Sequence, residues 1–138
     1  MALFRIEKTE VNRLTAKDVR LEKDLQRLFE QNLEEILNIS FLATEYSTSF
    51  GGRIDTLGID KNGAPAIIEY KRSTNESVIN QGLSYLRWLL DHKAEFESLC
   101  DEKKMTTEVD WDSPRVICVA ESYNKFDIDT ADFLPINI

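Results

Sequence analysis

The stretch Arg53-Ile54-Asp55-Thr56-Leu57-Gly58-Ile59-Asp60-Lys61-Asn62-Gly63-Ala64-Pro65-Ala66-Ile67-Ile68-Glu69-Tyr70-Lys71 decides how this chain folds. Two apolar runs flank a turn signal, Asp60 to Gly63. Asn-Gly readily takes the positive φ values of a tight turn, so Arg53 to Ile59 and Ala66 to Lys71 read as two neighbouring strands. Side chains alternate between the faces of a strand, which puts Glu69 and Lys71 on the same face. A carboxylate and an ammonium held side by side suit a divalent cation and an activated water. Asp55, on the adjacent strand, would add a second hard oxygen ligand of the kind Mg²⁺ prefers. The competing reading is a polar Asp55 at a strand end and an exposed Glu69/Lys71 ion pair, a frequent arrangement worth little. The apolar run Ala66 to Ile68 marks a mostly buried strand and favours the site.

Working outward, apolar residues at 21, 25, 28, 29, 33, 36 and 37 predict a helix from about Thr15 to Leu37, with Thr15 as its cap and Asp18 three residues on. At about 100° per residue, Glu22 falls inside the apolar arc, whereas Glu30, Glu34 and Glu35 fall at its edge or outside it. A carboxylate aimed at the buried side needs a partner, which a metal site would supply. The alternative is a first-turn position favoured by the helix dipole. Before this helix, Leu3, Phe4 and Ile6 suggest a short strand or an arm. After it come a strand, Phe41 to Tyr46, and a turn, Ser47 to Gly52. A long helix is expected from Asn75 or Ser77 to about Asp101, with a core stripe of Ile79, Leu83, Leu86 and Leu90. Gln81, Tyr85, Trp88 and His92 share a neighbouring ridge, able to orient a water, contact phosphate or stack on a base. Trp88 reads better as packing. Arg115 to Ala120 is a fourth strand, and Asp129 to Phe133 a short helix or turn. The order α-β-β-β-α-β predicts a mixed sheet with a helix on each side.

With 138 residues, 42 % of them hydrophobic and 30 % charged, the chain suits one soluble domain. Neither a signal-peptide pattern nor an apolar run long enough to span a bilayer is visible, so a cytoplasmic protein without membrane contact is expected. Cys100 and Cys118 lack metal-ligand spacing and read as buried free thiols. The single histidine, His92, excludes a multi-histidine metal site and reads as a surface or ridge residue. A net charge of −8 disfavours a phosphate-binding partner. Arg53, Lys71, Arg72, Arg87, His92 and Lys93 gather around the motif in sequence, and a local basic rim with bound cations would offset it.

The order helix, strand, Asp-bearing strand, Glu-x-Lys strand, helix resembles the PD-(D/E)XK nuclease superfamily. Gly52-Arg53-Ile54-Asp55-Thr56-Leu57-Gly58, Ile68-Glu69-Tyr70-Lys71-Arg72 and Gln81-x-x-x-Tyr85-Leu86-Arg87-Trp88 are similar to the catalytic domain of NucS/EndoMS-type endonucleases. The similarity runs from roughly Leu21 to Ala120. Tyr70, between Glu and Lys, and Ile54, before Asp55, depart from the usual pattern.

The resemblance implies a restriction-endonuclease-like αβββαβ core, a mixed four-stranded sheet flanked by helices, in a single domain over residues 1–138 or a piece of a longer protein. It also implies a Mg²⁺- or Mn²⁺-dependent endonuclease that hydrolyses DNA phosphodiester bonds, for repair, restriction or mobile-element defence. Asp55, Glu69 and the Tyr70 backbone carbonyl would hold the metal, with Glu22 as a further ligand. Lys71 would orient or deprotonate the attacking water. Gln81 would complete the catalytic set, and Arg53, Arg72, Tyr85 and Arg87 would position the substrate. The partner would be DNA, with single-stranded, branched and mismatched forms all open. Too few residues precede the first helix for a NucS-type N-terminal domain, so a homodimer or an additional domain is expected to help engage DNA. Two other readings stand beside this one: a catalytically silent nuclease-fold module for nucleic-acid binding or protein interaction, and an unrelated acidic protein that recruits a basic partner.

Overall fold

A computed structural model describes residues 3–7, 10–14, 22–71 and 78–138, with side chains for 23–71 and 78–138. Its elements are β1 (Leu3–Glu7), β2 (Glu10–Leu14), α1 (Glu22–Gln31), α2 (Leu33–Leu37), β3 (Ile39–Ser47), β4 (Arg53–Asp60), β5 (Pro65–Lys71), α3 (Val78–Leu90), α4 (Lys93–Glu102), β6 (Arg115–Ala120) and α5 (Lys125–Phe133). The main sheet has the order β3-β4-β5-β6, with β5 and β6 parallel and the other pairs antiparallel. This is the mixed four-stranded sheet the sequence predicts.

β5 is central, and Pro65 to Tyr70 are all buried. A strand covered on both faces must be apolar throughout, which explains the run Ala66-Ile67-Ile68. Leu25 and Phe29 of α1 and Leu33 of α2 pack on one face of the sheet with Ala66, Ile68 and Tyr70. On the other face, Ile67, Leu57 and Val116 meet Tyr85, Leu86, Trp88 and Leu89 of α3 and Phe96 of α4. Cys100 is buried there, and Cys118 is half-buried on β6; both thiols are free. Burial pushes them up to about 11 and about 12, so they stay protonated near neutral pH.

Several expectations are corrected. The N-terminal residues form an antiparallel strand pair, Leu3 opposite Leu14, where one short strand or an arm is expected. The first helix is two: Asn32 leaves helical geometry at φ −136°, and its side chain donates to the Leu28 carbonyl at 3.1 Å. The break lets both Phe29 and Leu33 reach the sheet. Thr15 and Asp18 lie outside the described residues.

The long helix also breaks, at Asp91 and His92. His92 Nδ1 lies 2.6 Å from the Trp88 carbonyl oxygen, competing for the acceptor a continuing helix would use. The buried face of α3 is Val78, Ile79, Gly82, Tyr85, Leu86, Trp88 and Leu89, whereas Leu83 and Leu90 are only half-buried. The predicted stripe is therefore rotated, because the β3–β4 turn covers the Tyr85–Trp88 side. α5 begins at Lys125, earlier than expected, on a reciprocal capping box between Asn124 and Asp127.

The Asp60–Gly63 turn forms as predicted. Asp60 Oδ1 accepts from the Asn62 and Ala64 amides, both at 2.9 Å, and Gly63 sits at φ +90°. A Cβ on Gly63 would lie 2.0 Å from the Glu108 carbonyl oxygen. Gly63→Ala should therefore lower unfolding stability by about 3 kcal/mol, combining left-handed strain with a backbone clash. Urea unfolding with an unchanged m-value measures it, and a loss below about 1 kcal/mol would contradict this account.

Candidate active site

β4 and β5 pair from Ile59↔Pro65 to Thr56↔Ile68, and the ladder then stops. Beyond that point two carboxylates replace the backbone acceptors. The Asp55 N–H donates to Glu69 Oε2 at 2.8 Å, and the Tyr70 N–H donates to Asp55 Oδ2 at 3.0 Å. The strands separate without orphaning either amide, and both carboxylates are drawn into the gap. In an extended residue the N–H and C=O share one edge. The Tyr70 carbonyl therefore faces the gap that its N–H faces.

Glu69 is only 1 % exposed, which excludes the exposed ion-pair reading. Its Oε1 has no hydrogen-bond partner among the described residues. Burial, and then the Asp55 carboxylate, push the Glu69 carboxyl up to about 8, while the Asp55 N–H and the Lys71 ammonium pull the other way. Lys71, at the end of β5, is half-buried. A buried acceptor left unmade costs about 1–3 kcal/mol, so this oxygen is suited to a ligand that supplies positive charge.

Gln26 and Glu30 belong to this site, although the sequence does not single out Gln26 and sets Glu30 at the edge of the apolar arc or outside it. Gln26 is 6 % exposed, and its Nε2 donates to the Asp55 carbonyl at 2.9 Å, tying α1 to β4 at the acidic residue. Glu30 accepts from Thr56 Oγ1 at 2.6 Å, and Tyr70 OH lies 3.1 Å from the same hydroxyl. The arithmetic that singles out Glu22 also places Gln26 inside the apolar arc, between Leu33 and Leu37, and a polar residue among apolar neighbours is the available signal.

Glu45 is a third acid near the pair. It holds φ +49° in β3, between the pairs Thr44↔Thr56 and Tyr46↔Ile54, and so lies level with Asp55. Its charge adds to the upward push on Glu69. Lys23 Nζ lies 3.0 Å from Glu45 Oε1 and Arg53 Nε 3.8 Å from Oε2.

The other predicted residues are spread more widely. Gln81 is half-buried in the first turn of α3. Tyr85, one turn on, is buried with its ring stacked on Phe50 at 5.8 Å. Trp88 is a packing residue as expected, and its Nε1 donates to Ser49 Oγ at 2.7 Å.

The expected basic rim is only partly assembled. Exposed Arg87 pairs with Asp91 at 3.3 Å, and Lys93 sits over the Trp111 ring at 5.5 Å. His92 stacks on Trp88 at 4.1 Å. The ridge faces the β3–β4 turn and α4, so these cations take local partners. Arg72 and the Glu22 side chain lie outside the described residues.

The chain superposes on a repair endonuclease from Pyrococcus abyssi with a TM-score of 0.59 and 20 % identity, over 86 % of this chain and 46 % of that one. The chain shares its fold with that protein. It also superposes on EndoMS in a complex with dsDNA, with a TM-score of 0.50 and 24 % identity, over 96 % of this chain and 47 % of that one. This nuclease-like, restriction-endonuclease-like α/β fold agrees with the sequence reading. An uncharacterized protein of Haemophilus influenzae is 40 % identical over 145 residues, covering 100 % of this chain. The chain spans 48 % of that protein's length. No protein-family model matches the chain.

Among the described residues, no group of three or more His, Cys, Asp and Glu side chains converges to hold a metal ion. The side-chain donors in the gap are the two carboxylates, Asp55 and Glu69. They fit a hard divalent cation that completes its shell with carbonyl and water oxygens. No described helix is long and apolar enough to cross a membrane.

Proposed function

We propose that this domain is a Mg²⁺- or Mn²⁺-dependent endonuclease that hydrolyses DNA phosphodiester bonds. The observation that carries the reading is the split between β4 and β5, where the Glu69 carboxylate accepts from the Asp55 amide, the Asp55 carboxylate accepts from the Tyr70 amide, and a buried Glu69 oxygen is left open. The fold shared with a repair endonuclease and with DNA-bound EndoMS supports it.

Asp55, Glu69 and the Tyr70 carbonyl would hold the cation, with Glu22 as a further candidate ligand. The cation would supply Lewis-acid charge for the phosphoryl oxygens and for activating a water. Lys71, two residues beyond Glu69 on the same strand face, takes the attacking water's proton or orients that water. Its charge also stabilises the charge that builds on phosphate oxygens. Gln81 orients the water from the start of α3. Arg53, Arg72 and Arg87 contact phosphates, and Tyr85 supports the substrate surface from beneath. A homodimer or a second domain adds the remaining DNA contacts that a net charge of −8 makes necessary.

The deciding experiment is cleavage of labelled single-stranded, duplex, flap and mismatched DNA with Mg²⁺ or Mn²⁺. The proposal expects divalent-dependent products from at least one substrate. No product from any substrate, together with no Mn²⁺ binding by calorimetry, would remove it. Mn²⁺ binding without cleavage would favour the silent module.

Gln26 supplies a second test. Gln26→Leu removes the donor that holds the Asp55 backbone, so it should weaken Mn²⁺ affinity about tenfold, typical for groups that orient a ligand. Gln26→Glu should weaken it further or leave it weakened, because a carboxylate cannot donate. Unchanged affinity in both variants would remove Gln26 from the site.

A further inference from the structure

At the end of the sheet that carries Asp55 and Glu69, the β3–β4 turn holds a solvent-facing aromatic in a fixed position. Phe50 is 54 % exposed. The other large exposed hydrophobics among the described residues, Phe126, Ile128 and Phe133, all lie on α5. An isolated exposed apolar side chain is ordinary and by itself says nothing. This one is built in.

Thr48 N and Thr48 Oγ1 both donate to the Gly52 carbonyl at 2.8 Å, closing the turn. Trp88 Nε1 donates to Ser49 Oγ and ties the turn to α3. Behind Phe50 lies the Tyr85 ring, at 5.8 Å and 22°. Gly52 permits the close approach, since a Cβ there would meet the Tyr85 hydroxyl at 2.9 Å and the Phe50 ring at 3.1 Å. One face of Phe50 is thus backed by a buried aromatic while the rest of the ring stays in solvent.

The position suits a substrate strand. From Gly52, beside the Phe50 ring, the chain reaches Asp55 of β4 in three residues, about 10 Å of extended chain. That is roughly three nucleotide steps of a stacked strand. Arg53 lies between, with its side chain 63 % exposed. An exposed aromatic next to an arginine is the combination that stacks bases and tracks phosphates in single-stranded nucleic-acid grooves.

We propose that Phe50 stacks on an unpaired base of the DNA strand whose phosphodiester lies at Asp55 and Glu69. The inference rests on the nuclease reading and adds to it a substrate-contacting aromatic outside the carboxylate and lysine set.

The test is a double-mutant cycle between protein and base. The full chain carrying Lys71→Ala, which keeps the carboxylates but silences cleavage, is titrated with fluorescent single-stranded oligonucleotides in Mn²⁺. A single abasic residue is walked along the strand. Adding Phe50→Ala should raise Kd about tenfold for the all-base strand, and Phe50→Tyr should restore it to within about twofold. At one abasic position the parent itself should lose about tenfold and Phe50→Ala should add nothing further. Equal weakening of base-containing and abasic strands, or none at all, would overturn the stacking role while leaving the nuclease intact. If the Lys71→Ala parent and the wild type bind and cleave no oligonucleotide, the nuclease reading and this inference fall together. Phe50 is exposed, so its variants should melt close to the parent.

Discussion

Glu69→Gln is expected to abolish divalent-dependent cleavage, by at least about 10³-fold, and yet to make the metal-free protein more stable above pH 8. Both effects come from the same buried oxygen pair. The amide keeps an acceptor for the Asp55 N–H but carries no charge to hold a cation. The folded Glu69 carboxyl titrates near 8 against an ordinary 4.5. It therefore binds its proton more tightly when folded than when unfolded. The stability due to that proton is fully present below about pH 4.5 and is lost as the pH rises through about 8.

Glutamine does not titrate. Wild-type melting temperature should fall relative to Glu69→Gln between pH 5 and pH 8.5, in chelator. Saturating Mn²⁺ should reverse the order at the high-pH end, because a cation present at about 100 times its Kd adds about 2.7 kcal/mol to the form that binds it. Parallel pH profiles for the two proteins would refute the account of Glu69. Equal Mn²⁺ stabilisation in both would place the cation elsewhere.

Lys71→Ala should separate chemistry from binding. Cleavage should fall about 10²–10³-fold, the usual effect of removing one group that stabilises transition-state charge. Mn²⁺ should still raise the melting temperature of this variant, since no oxygen donor has been removed. Losing the ammonium also removes a charge that repels the cation. The same loss removes a charge that lowers the Glu69 pKa, so the metal-free pH transition should move upward. A variant that has lost both cleavage and Mn²⁺ binding would make Lys71 a structural partner of the carboxylates and leave the water without an assigned base.

Much of this was legible in the sequence, for identifiable reasons. The Asn62-Gly63 signal and the flanking apolar runs are local, and local rules predict the β4–β5 pair with its turn. The period-two spacing of Glu69 and Lys71 likewise follows from strand geometry. The helix breaks at Asn32 and His92 escaped because apolar periodicity continues through them. Gln26 and Glu30 escaped for a different reason. Their roles come from contacts with Asp55 and Thr56, more than 25 positions away in the chain. Tyr85 and Trp88 were expected beside the core and lie within it, because the β3–β4 turn packs over them.

What the sequence by itself determined is the strand–turn–strand with its acidic pair and lysine, together with the αβββαβ order that surrounds it. These follow from side-chain alternation, turn chemistry and burial of apolar runs, all of which act over a few residues. Only the tertiary structure decided that β4 and β5 part after Thr56. It alone set the Glu69 carboxylate on the Asp55 amide and the Asp55 carboxylate on the Tyr70 amide, left Glu69 Oε1 buried and open, and held Phe50 in solvent against Tyr85. Those features depend on which strand meets which and on where water is excluded, and both are properties of the packed sheet as a whole.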